Sequence, residues 1–223
     1  MITQGLLLAS LMISGTTPNM PDVHIRIEAS SSTTDSSDLV SRHEVSGLGI
    51  VTVSGTTKTN REDLSKEDGV LTISVSGRPT GEATVLWTRE FPWGGRSFPE
   101  IHILVPGDRE SIAIAYIQPD FLAEFHSFGV SGSVIEELSR ENFLVYPDGR
   151  REKGDPFRIP VGRILSLYYG QHLSAHPSHA PSITSMSREG EDWIVGVNYL
   201  GIEYLFRRCK DCDFWQVTDS RKL

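Results

Sequence analysis

The sequence predicts a mostly β protein: a β-sandwich or open barrel of about nine or ten antiparallel strands with one to three short helices. Three observations carry that expectation. Short runs of alternating or β-branched residues recur along the chain, separated by Gly, Pro, Asn and Asp turn signals. No amphipathic stretch of about 10–15 residues alternates with them, as a parallel α/β sheet would require. The chain has 223 residues, 38% hydrophobic and 22% charged, enough to bury roughly 70% of its unfolded surface without a metal or disulfide staple. The alternative class is α+β. Residues 20–223 are expected to form one β-rich domain, with a candidate sub-boundary near 119–142.

The elements follow in order. Residues 1–19 contain the apolar run Leu6–Ile13 followed by Ser14-Gly15-Thr16-Thr17-Pro18. That is the length of a signal-peptide hydrophobic region and too short to cross a bilayer. No Lys or Arg precedes Arg26 and no A-x-A site follows the run. The segment reads as a signal peptide or disordered leader, which places the protein outside the cell or in the periplasm. The alternative is a cytoplasmic protein starting at Met20, because Met20-Pro21-Asp22 leads directly into a strand at Val23–Ile27. Ser30–Ser37 has nothing to bury and reads as loop or linker. Strands are expected at Gly49–Val53, Val70–Val75 and Ala83–Thr88. Gly55–Asp68 reads as a polar connection with one helical turn at Glu62–Lys66.

Ile101–Val105 and Ser111–Ile117 flank Pro106-Gly107-Asp108, a hairpin whose Pro and Gly suit the two centres of a type II turn. Phe121–His126 reads as a short helix opened by Pro119-Asp120, and Ser133–Leu138 as a second, separated by Gly129 and Gly132. Strands resume at Phe143–Tyr146, before the turn Pro147-Asp148-Gly149, and at Phe157–Tyr169. Gln171–Met186 is a His/Ser/Pro-rich loop. The end reads as a three-stranded meander over Trp193–Tyr199, Ile202–Arg208 and Asp213–Thr218. Period two puts Trp193, Val195, Val197 and Tyr199 on one face, expected to lie on the core.

Charge narrows the partners. Lys and Arg number 21 against 29 Asp and Glu, a net charge of −8. A nucleic-acid binder needs a basic domain or stripe to neutralise phosphates. A dense basic cluster is Arg207, Arg208 and Lys210, with Asp211 and Asp213 following at once. It reads as a solvated hairpin end, and no nucleic-acid partner is expected. No apolar run approaches about 18 residues, so no transmembrane helix is expected.

Two groups of residues could carry chemistry. Cys209 and Cys212 could join His172, His176 and His179 around zinc, which favours N and S donors. Only one Cys-x-x-Cys half-site is present, however, and Pro177 breaks the histidine spacing. In an exported chain the same two cysteines read as a local disulfide. The second group is aromatic: Trp87, Phe91, Trp93 and Phe98 surround Pro92, Gly94, Gly95, Arg96 and Pro99. Such a segment can form a platform for a sugar ring or peptide, with Arg96 as a polar or cation–π contact, or it can plug one end of the core.

Other candidates have simpler explanations. Ser131 in Gly129-Val130-Ser131-Gly132-Ser133 misses a nucleophile elbow and reads as a turn residue. Glu124 and His126 read as the solvated face of a helix. His102 faces away from Ile101 and Ile103, pointing outward or held by a hydrogen bond. Glu189, Glu191 and Asp192 form a solvated charge cluster. The expected function is an exported binding or structural interaction module, without catalysis or cofactor, for a protein, peptide or carbohydrate partner. The rivals are a zinc-dependent hydrolase built on the His/Cys group and an inhibitor or immunity-type protein that binds an enzyme.

Overall fold

The computed structural model describes residues 20–27, 39–58, 67–77, 83–93, 100–117, 123–131, 134–138, 142–145, 151–155, 157–159, 161, 181–208 and 215–222. Every element among them is a strand, fifteen in all, and every pairing is antiparallel. The mostly β class is therefore correct, with more strands than expected. The first sheet has the order β1 (Val23–Ile27), β6 (Ile101–Val105), β7 (Ser111–Ile117), β8 (Ala123–Ser131) and β9 (Val134–Glu137). The second is a meander of β2 (Leu39–Val45), β3 (Gly49–Lys58), β4 (Glu67–Ser76) and β5 (Thr84–Trp93). The third is a meander of β12 (Ser182–Glu189), β13 (Asp192–Tyr199), β14 (Ile202–Arg208) and β15 (Trp215–Lys222). A separate hairpin pairs β10 (Asn142–Val145) with β11 (Arg151–Gly154).

The first sheet is central, because it packs on both faces. Ile101, Ile103, Val105, Ile112, Ile114 and Tyr116 meet Val51, Val53, Leu71, Ile73 and Val75 of the second sheet in one core cluster. Leu104, Ala113, Ala115 and Phe125 join Trp193, Val195, Val197, Phe206 and Trp215 of the third sheet in another. This two-sided burial explains why β6 and β7 read as nearly continuous apolar runs, where a half-solvated strand alternates. Small Ala113 and Ala115 leave room for the rings opposite. Phe125 meets Trp193 edge-on at 5.8 Å and Trp215 at 5.2 Å. Trp193, Val195, Val197 and Tyr199 lie on this core together, as period two predicted.

Several local expectations are corrected. Both helices are strands: β8 covers Ala123–Ser131 and β9 covers Val134–Glu137. Ser182–Met186, expected to be loop, belongs to β12, which makes the terminal meander four-stranded. The polar stretch 55–68 is strand at both ends, where Gly55 and Lys58 pair with Leu71 and Asp68. Its middle, with Glu62–Lys66, lies outside the described residues, as do residues 1–19 and 30–37. Of the strand expected at Phe157–Tyr169, residues 157–159 and 161 are described, and Arg158 bridges Glu124.

The β6–β7 hairpin forms, but its turn is displaced by one residue from the expected type II. Pro106 C=O accepts from Arg109 N–H at 3.0 Å, and Arg109 takes the left-handed conformation at φ 58. Hydrogen bonds of the Arg109 guanidinium offset the cost of that conformation. The guanidinium donates to the carbonyls of Pro21, Ser46, Val105 and Pro106, tying together the entry to β1, the β2–β3 turn and its own hairpin.

The β13–β14 turn has two central residues with positive φ, Leu200 at 55 and Gly201 at 77. That is the type I′ pattern, in which Asn-Gly is preferred over Leu-Gly. The Leu200 side chain is 53% exposed, so little packing offsets its backbone cost. Leu200→Asn is expected to raise stability by about 1 kcal/mol, read as a higher urea midpoint. A lower midpoint would show that Leu200 makes contacts worth more than its strain.

Candidate functional site

A polar network sits where β5 of the second sheet crosses β7, β8 and β9 of the central one. Glu124 and His126 are two apart on β8, so they share a face, and that face is turned to the second sheet. Tyr116 stands opposite Glu124 on β7. Arg89 on β5 occupies the register position of Leu71, an inward one. Three side chains converge on a single carboxylate oxygen, Glu124 Oε2. Arg89 donates at 2.6 Å, the Tyr116 hydroxyl donates through a short bond, and His126 Nε2 lies at 3.4 Å. Arg89 also donates to the Tyr116 oxygen at 2.9 Å, and His126 Nδ1 reaches Glu137 of β9 at 2.8 Å.

Rings fix the imidazole in place. His126 stacks on Phe157 with centroids 4.6 Å apart and meets Trp87 edge-on at 6.1 Å. The segment carrying Phe157 is itself held on β8, where Phe125 N–H donates to Phe157 C=O and Ile159 N–H to Ala123 C=O. Burial alone would raise the Glu124 carboxyl. The hydrogen bonds from His126 and Tyr116 and the Arg89 charge outweigh it and hold the group below the ordinary carboxylate value. Burial, with Glu124 as hydrogen-bond partner, pushes the Tyr116 phenol well above its usual value. The arrangement clamps two sheets through one ionised carboxylate. It also corrects the expectation that Glu124 and His126 are solvated, since both are buried.

A second cluster lies on the opposite face of the central sheet. His102 of β6 is buried, with Nδ1 3.1 Å from His24 Nε2 on β1 and Nε2 2.8 Å from Glu100 Oε1. Arg26 Nε approaches the same Glu100 oxygen at 2.6 Å. Burial, then the nearby Arg26 charge, lowers the His24 imidazole. Burial also lowers His102, against an upward pull from Glu100. His102 is thus hydrogen-bonded, one of the two roles expected for it, and does not point into solvent.

A third lies on the outer face of the third sheet. Glu203 of β14 is buried there and accepts from Thr184 of β12 and Arg221 of β15. Its carboxylate crosses β13 at Gly196, where a Cβ would stand 2.9 Å from Glu203 Oε1 and 2.7 Å from Thr184 Oγ1. The Thr184 hydrogen bond, together with Arg221, lowers the Glu203 carboxyl despite its burial.

These shifts set how stability responds to pH. His24 and His102 release protons more readily folded than unfolded, where imidazole titrates near 6.5. Stability tied to their neutral forms is complete above that pH and lost as the pH falls below it. Glu124 and Glu203 are held below 4.5, so their contribution is complete above 4.5 and lost on further acidification. Tyr116 is raised from 10.0, so stability also falls as the pH rises past that value. Urea midpoints should therefore plateau between about pH 6.5 and 10 and fall in two acid stages. His102→Gln should weaken the upper stage. A midpoint level from about pH 7 to 4 would contradict this account.

The outer face of the second sheet differs in character. Val40, Ile50, Val70 and Val85 share it with Thr52, Ser54, Thr56, Thr72, Ser74, Ser76 and Thr88, and none of these is buried. From Ile50 to Thr56 and from Val70 to Ser76 the two middle strands carry no charge. The Thr72 and Thr88 hydroxyls are 3.3 Å apart across β4 and β5.

Of the residues singled out from sequence, Trp87 is described in full. It is 8% exposed and packs in the core between the central and second sheets, 5.1 Å from the Tyr116 ring. Phe91 and Trp93 stand in β5, opposite Gly69 and Glu67, where a loop was expected. Arg96, Phe98, His172, His176, His179, Cys209 and Cys212 lie outside the described residues. Among the described residues no three His, Cys, Asp or Glu side chains form a metal-binding group.

The basic cluster is resolved in part. Arg207 pairs with Asp192 and Glu189, while Arg208 is buried over the Trp215 ring and is not a solvated hairpin end. Sequence reasoning missed Arg89, Tyr116 and Glu203. The available signals were a charge at an inward position beside Trp87 and a lone Gly inside a strand, which marks a close approach.

The chain is thus a mostly antiparallel β protein with its acid–base groups locked between and across sheets. No described helix is long and apolar enough to cross a membrane. No protein-family model, curated protein or solved structure matches the sequence.

Proposed function

We propose that this protein is an exported, non-catalytic binding module that engages an uncharged, hydroxyl-rich polymer, a neutral polysaccharide, through the outer face of its second sheet. The observation that carries this reading is the uncharged Ser/Thr/Val surface formed by Ile50–Thr56 of β3 and Val70–Ser76 of β4 on a chain of net charge −8. Hydroxyls both donate and accept, so a row of them can pair with sugar hydroxyls in either sense. Short and β-branched side chains lose little rotamer freedom when covered. Charged side chains, which binding would desolvate at a cost, are absent from the stretch of this face between Ile50 and Thr56 and between Val70 and Ser76, with Arg42 and Glu44 beside it on β2 and Glu90 opposite Val70 on β5. The opposite rim is β5.

Retention on insoluble neutral polysaccharides (cellulose, chitin and a β-1,3-glucan), with alginate as the anionic control, tests the proposal. The chain should be retained by at least one neutral polymer. Thr72→Lys and Ser74→Lys, at non-buried positions, should abolish retention without lowering the melting temperature. Failure on every neutral polymer, or retention that survives both substitutions, would overturn it. Export is tested separately by sequencing the N-terminus of protein recovered from outside the cytoplasm, where a chain starting near residue 20 is expected.

A further inference from the structure

We propose that His24 and His102 form a two-imidazole binding site for a divalent zinc ion, bridging strands β1 and β6 and independent of the sheet face described above. The two strands pair with Arg26 opposite His102 and His24 opposite Leu104, so the histidines are diagonal neighbours on one face. Their facing nitrogens, His24 Nε2 and His102 Nδ1, are 3.1 Å apart. Two imidazoles each about 2.1 Å from a shared zinc ion with that separation subtend an angle of about 95°. Because the two nitrogens face each other in the hydrogen bond, the His24 ring must swing by some tens of degrees to direct its lone pair at a tetrahedral ion. His24 is exposed and sits on an edge strand, so its ring can make that rotation.

The surroundings already prepare His102 as a ligand. A carboxylate oxygen can only accept, so the contact between Glu100 Oε1 and His102 Nε2 places the ring proton on Nε2. That leaves a lone pair on Nδ1, aimed at His24. A carboxylate behind a metal-ligating histidine fixes the tautomer and increases the basicity of the ligating nitrogen. Arg26 holds Glu100 in this position, and the pair cancels its own charge.

The lowered proton affinity of both rings keeps them neutral and available near neutral pH. In the metal-free dyad His24 donates its Nε2 proton to His102 Nδ1. When zinc binds, that proton moves through solvent to His24 Nδ1, so both rings remain neutral and no net proton is released. Water completes the coordination, since no third protein ligand converges among the described residues.

Zinc titration of the chelator-treated full chain, followed by imidazole 15N resonances, tests this site and distinguishes it from the histidines and cysteines elsewhere in the chain. The His24 and His102 nitrogens should shift together and saturate. His24→Gln, at an exposed position, should weaken zinc binding at this site by about tenfold or more, and Glu100→Gln by about tenfold. His43→Gln should leave it unchanged. Zinc that binds the chain without moving the His24 and His102 resonances, or with equal affinity in His24→Gln, would overturn the assignment.

Discussion

Replacing Glu124 by Ala is expected to cost about 3 kcal/mol, because it strands a buried hydroxyl, an imidazole and a guanidinium that all use one oxygen. For a chain of this length that is roughly 6–12 °C of melting temperature. Arg89 is about one third exposed, so water recovers part of its loss, which keeps the figure near the lower end for a broken buried pair. Glu124→Gln keeps the shape and one acceptor oxygen and should cost about half as much. Combining Glu124→Leu with Arg89→Met removes both charges and should recover more than half of the single-variant loss, since an unpaired buried ion is worse than none. A Glu124→Ala loss below about 1 kcal/mol would mean that water replaces the carboxylate at no cost.

Phe125→Ala should be at least as damaging, at about 4 kcal/mol. The ring is fully buried between the central and third sheets, with edge contacts to both Trp193 and Trp215. Neither backbone can close the gap, because the facing residues are held in two separate ladders. The loss should be accompanied by a red shift of tryptophan emission as water gains access to Trp193 and Trp215. Phe125→Leu, which keeps most of the volume, should cost about 1 kcal/mol and leave the emission nearly unchanged. Equal losses for Ala and Leu would show that ring stacking, and not volume, holds this interface.

Where burial follows a simple period, the fold was legible. Ile101–Val105 and Ser111–Ile117 are nearly continuous apolar runs because both faces are covered, and in Trp193–Tyr199 the residues on the core, Trp193, Val195, Val197 and Tyr199, recur at every second position. Elsewhere the period was broken or carried by unexpected residues. In β12 a bulge between Ile183 and Ser185 sets the buried residues Ile183 and Met186 three apart, so a serine-rich strand looks like loop. In β8 the inward positions at 124 and 126 hold Glu and His, which by composition belong on a solvated surface. Arg89 from β5 of the second sheet, Tyr116 from the neighbouring β7 and Glu137 from β9 make those positions tolerable. A single sequence shows the polar residues but not the partners that tertiary pairing brings to them.

The pairing of β1 with β6 has a kinetic consequence. The second and third sheets are meanders whose neighbouring strands follow one another along the chain, so they can close over short loops. The central sheet must instead bring Val23 beside Val105, with the whole second sheet lying between them in sequence. Contacts of such long range delay folding, since their loop entropy is lost before they stabilise anything. Strand β1 should therefore join late in folding, so truncation through Ile27 should mainly speed unfolding and leave the folding rate little changed.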